Sequence, residues 1–355
     1  MTMPLIKKIM LWILAAVVVF VLFGIGVGVY ISGPKYAGPA TDHYDGKKFL
    51  NTSGRNAQSL GSVLKWATNR DKGPWEEIKN AQYGEAPPKK ANSIRVTFIN
   101  HSTFLLQVDG INILTDPVYS QRTSPFQWAG PKRMRPPGIR FEDLPPIDYV
   151  IISHNHYDHL DDATVKRLKK EHDPAFITPL GVGAYMETLG IQDITDLDWW
   201  QSHRVNDSIE IVSVPAQHFS GRGMLDRDAT LWAGYVIRRP NGNVYFAGDT
   251  GYDKDMFTEI GDKAGPFALS LIPIGAYLPQ WFMSPIHTSP AEAVKVHRDI
   301  RSKQSIAIHY GTFPLADDGQ TRPIEDLEKA LEEQNVPREE FWVMQEGEGR
   351  SLVNE

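Results

Sequence analysis

The longest apolar run lies at the amino end, where Ile9 to Ile31 carries no charge and shows no polar face. As a helix, such a run crosses a hydrocarbon layer of roughly 30 Å, and it exceeds the roughly 7 to 15 residues of a secretory core. An uncleaved single-pass anchor is therefore expected, ahead of a buried core helix. Lys7 and Lys8 precede the run while Lys35, Lys47 and Lys48 follow it, so the charge bias is nearly balanced. The expectation leans to a bacterial inner membrane with the catalytic domain outside the cytoplasm. From Ser32 to Asn92 the chain turns rich in Gly, Pro, Asn and Lys, with one helix over Leu60 to Thr68, and reads as a linker and an arm lying over a domain.

Short β-rich runs begin near Ser93, at Ile94 to Asn100, Thr103 to Val108 and Ile111 to Leu114, with Asp109-Gly110 as a hairpin turn. Tyr149 to Ile152 reads as a buried strand. An amphipathic helix follows at Ala163 to Lys170, then strands at Ile209 to Val214, Leu231 to Arg238 and, after Asn241-Gly242, Val244 to Ala247. Helices at Pro290 to Ile300 and Ile324 to Glu333 flank a strand at Ser305 to Ile308. Strands interleaved with helices in both halves predict an α/β chain with two sheets face to face and helices outside. The expected segments are residues 1–32 as anchor, 33–92 as linker and arm, and 93–355 as catalytic domain.

Composition adds limits. With 41% hydrophobic and 23% charged residues the chain is ordinary globular protein. A net charge of -6 argues against nucleic acid as a partner, because polyanion binding needs a dominant basic surface. There is no cysteine, hence no disulfide, no thiolate nucleophile and no Cys-ligated zinc; a metal must be held by histidines and carboxylates.

One segment concentrates such groups. His154-Asn155-His156-Tyr157-Asp158-His159 has the pattern H-x-H-x-D-H directly after an apolar strand. A surface loop of hydrogen-bonded histidines is the bland alternative, but the density favours ligands aimed at two adjacent borderline cations such as Zn²⁺. His218, Asp249 (in Gly248-Asp249-Thr250-Gly251) and His309 each fall at the carboxyl end of an expected strand, where open sheets collect their sites. Singly each is weak; together they complete a set for two metals. Ser289-Pro290-Ala291-Glu292 reads as a capping box with Pro in the first turn, which holds His287 just ahead of a helix start and favours a neutral imidazole there.

The blocks Leu114-Thr115-Asp116-Pro117, Gly130-Pro131-Lys132-Arg133, Leu144-Pro145-Pro146-Ile147-Asp148, Ile152 to Asp161, Pro215-Ala216-Gln217-His218 and Phe246 to Tyr252 extend the pattern. So do Ile274-Gly275-Ala276-Tyr277, Trp281-Phe282-Met283, His287 and Ile308 to Phe313. With these blocks the stretch from about Thr52 to Glu348 resembles the N-acyl-phosphatidylethanolamine-hydrolysing phospholipase D family within the metallo-β-lactamase superfamily.

The resemblance implies a four-layer αββα sandwich. It also implies two zinc ions per chain, one on His154, His156 and His218, the other on Asp158, His159 and His309, with Asp249 between them. A hydroxide shared by both metals is the implied nucleophile, held in line by Asp158. His287 is the implied active-site histidine, stabilising phosphoryl oxygens or the departing alcohol. Asp116 either supports a ligand histidine or simply forms a Thr-Asp-Pro turn.

The implied reaction is hydrolysis of N-acyl-phosphatidylethanolamine to an N-acylethanolamine and phosphatidic acid, a zinc-dependent phosphodiesterase of phospholipase D type. A lactonase or small-molecule phosphodiesterase on the same fold, and a non-catalytic membrane-tethered metal-binding protein, are the alternatives. Expected partners are a phospholipid substrate and the membrane held by the N-terminal helix, with a homodimer left open. The anchor departs from the family's better-known members. Lys132, Arg133, Arg135 and Arg140 are open between greeting an anionic head group and lying in a solvated loop; Trp281, Phe282 and Met283 are open between an acyl groove, the bilayer surface and core. His43, His101, His172, His203 and His297 stay outside the site, His101 having a family match but no chemical need.

Overall fold

In the computed structural model, which describes residues 5–352, the apolar run forms a helix, α1 (Leu5–Tyr30). Residues 1–4 and 353–355, the outer ends of the expected anchor and catalytic segments, lie outside the described residues. The 26 residues of α1 span about 39 Å at the helical rise, and none of its apolar window is buried. The helix is long and apolar enough to cross a membrane. The arm that follows holds α2 (Leu60–Thr68) and sends Tyr44 and Phe49 into the main core, their rings 4.6 Å apart. Beside them His43 stacks on Trp199 at 4.3 Å and contacts Asp42 at 2.6 Å and Asp198 at 2.7 Å.

The first sheet is built from β1 (Ile94–Asn100), β2 (Thr103–Val108), β3 (Ile111–Thr115), β4 (Tyr149–Ile151), β5 (Ala175–Pro179) and β6 (Ile194–Leu197). The second takes β7 (Ser202–Arg204), β8 (Glu210–Val214), β9 (Gly234–Arg238), β10 (Asn243–Phe246), β11 (Phe267–Pro273), β12 (Ser305–Ile308) and β13 (Phe341–Trp342). β14 (Gly349–Ser351) returns to pair antiparallel with β1, so among the described residues each sheet has seven strands. Both sheets are mixed: β1 to β3 and β7 to β10 run antiparallel, whereas β3 to β6 and β10 to β13 run parallel. The parallel pairs require crossovers. These carry α3 (Asp162–Glu171), α4 (Val182–Thr188), α5 (Lys254–Ala264), α6 (Gln280–Met283) and α7 (Pro290–Asp299), and α8 (Arg322–Glu333) leads to β13.

Alternation along the strands sorts the core into layers. Ile99, Leu105, Leu114, Val150 and Phe176 meet Val165 and Leu168 of α3 and Val182 and Met186 of α4. Their neighbours Phe98, Phe104, Ile113, Ile151 and Ile177 point the other way, into a core shared with Val212, Val236 and Tyr245 of the second sheet and with Phe257, Val294 and Leu327 of α5, α7 and α8. Buried on both faces, the sheets form the expected αββα sandwich. Full burial of each such side chain stabilises by about 1.5–3 kcal/mol, so the histidine loops are held by a scaffold far stronger than any one of their own contacts.

Candidate metal centre

Four loops converge where strands of both sheets end. β4 runs into Ile152-Ser153, which Ile152 N–H (to Ile177 O, 3.0 Å) and Ser153 O (from Ala233 N–H, 2.9 Å) tie to both sheets. The chain then makes a helical turn, with His159 and Leu160 N–H donating to His156 O, before Asp161 caps α3. His218 follows β8, Asp249 follows β10 and His309 follows β12. Gly248 is required between them: its φ is +59°, and a Cβ there would lie 2.5 Å from the Ser153 Cβ. His101, Asp116 and His309 adopt left-handed backbone at φ 48°, 33° and 61°, local strain of the kind that functional loops carry.

All seven expected ligands come together. Nε2 of His154 lies 2.7 Å from Nδ1 of His156, and Nε2 of His218 is 3.3 Å from that same nitrogen. Asp249 Oδ2 is approached by Nε2 of His159 at 3.2 Å, His309 at 3.1 Å and His218 at 3.8 Å. Asp158 Oδ2 lies 3.4 Å from Nε2 of both His159 and His309. Donor atoms thus fall into groups within 4.8 Å of one another, with Asp249 shared between the His154/His159 pair and His218. His159 Nε2 and Asp249 Oδ1 are buried without a hydrogen-bond partner. Orphaned ligand atoms pointing at one another, nitrogen and oxygen only, fit a pair of borderline divalent cations.

The surroundings fix two of these rings. His159 Nδ1 lies 2.6 Å from the buried Asp116 carboxylate, which also takes Ser153 N–H at 2.7 Å and Ser153 Oγ–H at 2.6 Å. Of the two readings of Asp116, support of a ligand histidine is the one observed. His218 Nδ1–H donates to Ile286 O at 2.8 Å, which frees Nε2 for a cation.

Burial, the largest influence, holds His154 and His218 well below the ordinary imidazole value and takes His156 to about 4, so these rings are neutral and ready to ligate. For Asp158 and Asp249 burial is outweighed by His159 and His309, which keep both carboxyls ionised. The same pairings, against burial, push His309 up to about 9 and His159 well above its usual range.

One expectation changes, and two alternatives left open are narrowed. His101 belongs to the site: it is buried, and its Nε2 lies 3.2 Å from Asp158 Oδ2. The available signal was the polar triplet Asn100-His101-Ser102 in a tight turn between two apolar strands. The basic block does not face the site, being paired within the protein: Lys132 with Glu77 at 2.7 Å, Arg135 with Glu346 at 2.6 Å and Arg140 with Asp143 at 2.6 Å. Arg133 is buried, with Nη2–H donating to Val118 O at 2.8 Å. Phe282 and Met283 line the site's cavity, whereas Trp281 beside them is 46% exposed.

That cavity, about 350 Å³, has His156, Asp158, Asp249, His287 and His309 at its floor. Val63, Trp66, Phe219, Phe282, Met283, Ile286 and Leu315 form apolar walls, and Arg227 adds a cation. His287 Nδ1 is buried, unpartnered and 3.8 Å from Asp249 Oδ2; burial takes this imidazole to about 4. The capping box predicted behind it is present, with Ser289 and Glu292 each accepting from the other's backbone N–H. A larger groove of about 690 Å³ beside α8 and β13 contains none of these histidines.

The Beta-lactamase superfamily domain matches residues 111–310. An uncharacterized protein of Mycobacterium tuberculosis is 47% identical over 251 residues, 69% of this chain and 66% of that one. The N-acyl-phosphatidylethanolamine-hydrolyzing phospholipase D 1 of Caenorhabditis elegans is 42% identical over 228 residues, 62% of this chain and 64% of that one. The matched segment spans just under two thirds of each relative's length. Among solved structures, the isothiocyanate hydrolase from Delia radicum gut bacteria superposes with a TM-score of 0.59 at 20% identity, covering 72% of this chain and 98% of that one, a likeness of fold alone.

Proposed function

The chain belongs to the β-lactamase superfamily, a metal-dependent hydrolase by fold and donor set, and from that premise we propose a dinuclear zinc phosphodiesterase that cleaves N-acyl-phosphatidylethanolamine-type phospholipids to N-acylethanolamine and phosphatidic acid. The observation that carries this reading is a cavity with apolar walls whose floor is the buried His/Asp cluster. Such a cavity suits a molecule with an acyl chain at one end and an anionic phosphodiester at the other. The kinship with a phospholipase D of this substrate class points the same way.

His154, His156 and His218 would hold one Zn²⁺, Asp158, His159 and His309 the other, with Asp249 between them. When bound, the metals supply Lewis acidity toward a phosphoryl oxygen and bring the pKa of water into the neutral range. The protein's own groups do the rest. Asp158, ionised and steadied by His101, accepts a hydrogen bond from the attacking water and sets its line of approach. His287, neutral at pH 7, donates a hydrogen bond to phosphoryl oxygens rather than adding positive charge. Water oxygen bonds to phosphorus, the bond from phosphorus to the ethanolamine oxygen breaks, and the proton leaves on that alcohol. The apolar walls exclude bulk water and position the acyl chain. In this reading α1 tethers the enzyme to the membrane that holds its substrate.

The test offers purified full-length protein, with metals quantified, a panel of N-acyl-phosphatidylethanolamine, lactones and nucleotide diesters in ¹⁸O-water. The expected result is label in phosphatidic acid, two zinc ions per chain, and loss of turnover in Asp158→Asn. Lactone opening without lipid cleavage, or bound zinc with no turnover on any substrate, sinks the proposal.

A further inference from the structure

The exit of α1 is fastened to the rim of the metal cavity. Gly28 O accepts from Met224 N–H at 2.9 Å and from Ser32 Oγ–H at 2.8 Å, and Ser32 Oγ accepts from Leu225 N–H at 3.0 Å. The next residue, Gly33, donates its N–H to Asp226 Oδ2 at 2.7 Å. Asp226 is fully buried and also takes the N–H groups of Arg222 (3.1 Å) and Gly223 (2.8 Å). The approach is close: a Cβ on Gly223 would sit 2.5 Å from Ser32 Oγ and 2.6 Å from Gly28 O.

The same loop is tied to the ligand segment. Arg222 Nη1 donates to Asn155 O and Leu160 O, both at 2.9 Å, and Gly221 N–H donates to the Asn155 side chain at 2.8 Å. Hydrogen bonds therefore link the end of α1 to the loop that carries the histidines. A flexible tether would leave the mouth free to face any direction; this connection fixes it relative to α1.

The rim so fixed is apolar toward solvent. Met224 is 57% and Leu225 53% exposed on the loop. Across the mouth α2 buries none of its residues: Val63 and Trp66 line the cavity, while Leu60 (74%) and Leu64 (60%) face outward beside half-exposed Trp281. Gln58 joins the two sides, donating to Trp281 O at 3.1 Å and accepting from Arg227 Nη2–H at 3.3 Å. Lys65, 4.8 Å over the Trp281 ring, and Arg227, 5.1 Å over Phe219, add positive charge among the apolar side chains. A large apolar side chain on a short helix that shelters a cavity needs something to cover it, and apolar residues with basic neighbours suit an anionic lipid interface.

We propose that Leu60, Leu64, Trp281, Met224 and Leu225 form a lipid-docking face that enters the bilayer holding α1, so that the metal cavity opens onto the leaflet where α1 ends. The inference rests on α1 as an anchor, part of the proposed function, and is independent of the substrate assigned there. The occupant is the bilayer because the face is continuous, through the Gly28–Met224 and Ser32–Leu225 contacts, with a helix long and apolar enough to span one.

The chain has no cysteine, so single-cysteine variants report one site each. Full-length Leu225→Cys, Leu64→Cys, Val18→Cys and Asp207→Cys, labelled with an environment-sensitive fluorophore, are reconstituted into phosphatidylcholine–phosphatidylglycerol vesicles carrying nitroxide lipids. Labels at 225 and 64 are expected to shift to the blue and to be quenched severalfold more by shallow than by deep nitroxides. The label at 18 should favour deep nitroxides, and the one at 207 neither. Labels at 225 and 64 that behave like 207 while 18 is quenched overturn the docking face. An unquenched label at 18 removes the bilayer and overturns it as well. Cross-linking of unlabelled Leu64→Cys protein by a bifunctional thiol reagent, together with an unquenched label at 64 in the labelled sample, assigns the face to a second copy and also overturns it. Diester hydrolysis measured in the same vesicles reads the catalytic proposal separately: quenching without turnover sinks that proposal and leaves the docking face standing.

Discussion

Replacing Asp116 by Asn isolates the support beneath the metal ligands. The carboxylate accepts Ser153 N–H on Oδ1 and both Ser153 Oγ–H and the His159 Nδ1 side on Oδ2, in a pocket with no solvent contact. An amide of the same shape keeps one acceptor oxygen and turns the other position into a donor. Whichever way it is rotated, its NH₂ faces either the Ser153 N–H or the Ser153 hydroxyl and His159 together. At least one buried donor loses its acceptor, a cost of about 1–3 kcal/mol. If the amide NH₂ faces His159, the ring is driven to put its proton on Nε2, the nitrogen that must be bare to ligate. Zinc affinity should fall about 10- to 100-fold, equivalent to about 1.4–2.8 kcal/mol and thus in line with the lost contact. Competition against a chromogenic chelator at fixed pH measures it, with thermal unfolding of the metal-stripped protein alongside to separate loss of fold from loss of metal. Asp116→Asn protein that retains zinc against the chelator as well as the parent, with unchanged unfolding, would refute the role assigned to this carboxylate.

Three further outcomes follow from other contacts. His287→Asn should lower turnover while leaving zinc content unchanged, because this ring is outside the seven-ligand set; loss of zinc on metal analysis would refute that placement. Trp66 stacks on Phe282 at 4.9 Å in the cavity wall, so Trp66→Ala should reduce kcat/KM about tenfold for a long-chain lipid and leave a water-soluble diester nearly unaffected; equal losses on both substrates count against an acyl-binding wall. His43 is pushed down by burial but, on balance, up by Asp198 and Asp42, so its folded pKa exceeds the unfolded one. Its stabilisation is complete below the unfolded value and lost as pH rises through the folded one, so the Tm advantage of the parent over His43→Gln should shrink from pH 6 to alkaline pH; an advantage that grows with pH contradicts the pairing.

Much of this architecture is readable from one sequence because local signals agree with the global fold. α2 spans Leu60–Thr68 and β1 and β2 span Ile94–Asn100 and Thr103–Val108 as the pattern predicts, and the Ser289–Glu292 capping box starts α7. The pattern does not single out β5, β6 and α4; in the two strands the polar Thr178 and Asp196 interrupt the apolar run. Asp196 in β6 takes the N–H groups of Gly181 (2.8 Å) and Gly183 (2.9 Å), contacts that exist only after the crossover has formed. The expected strand from Leu231 shortens to Gly234–Arg238, because Leu231 and Ala233 N–H donate to Leu180 O and Ser153 O in the other half of the sandwich. His101 shows no chemical need in the sequence for the same reason: its partner Asp158 lies 57 residues away, and no spacing rule links a hairpin turn to a ligand loop. Ligand histidines with a motif are legible; for the groups that steady them, Asp116 and His101, tertiary contact decides.

The division of the ligand set between the two sheets has a consequence for the life of the polypeptide before any substrate is met. His154 to His159 hang from the first sheet, while His218, Asp249 and His309 hang from the second, so neither half alone can assemble the set. Cations bound there cross-brace the sandwich, and mass action converts their affinity into resistance to unfolding, about 2.7 kcal/mol at a free concentration a hundredfold above Kd. The supply of metal during biosynthesis then governs how much of the chain survives quality control, and starvation for the ion should first appear as a drop in protein abundance rather than as an intact but idle enzyme.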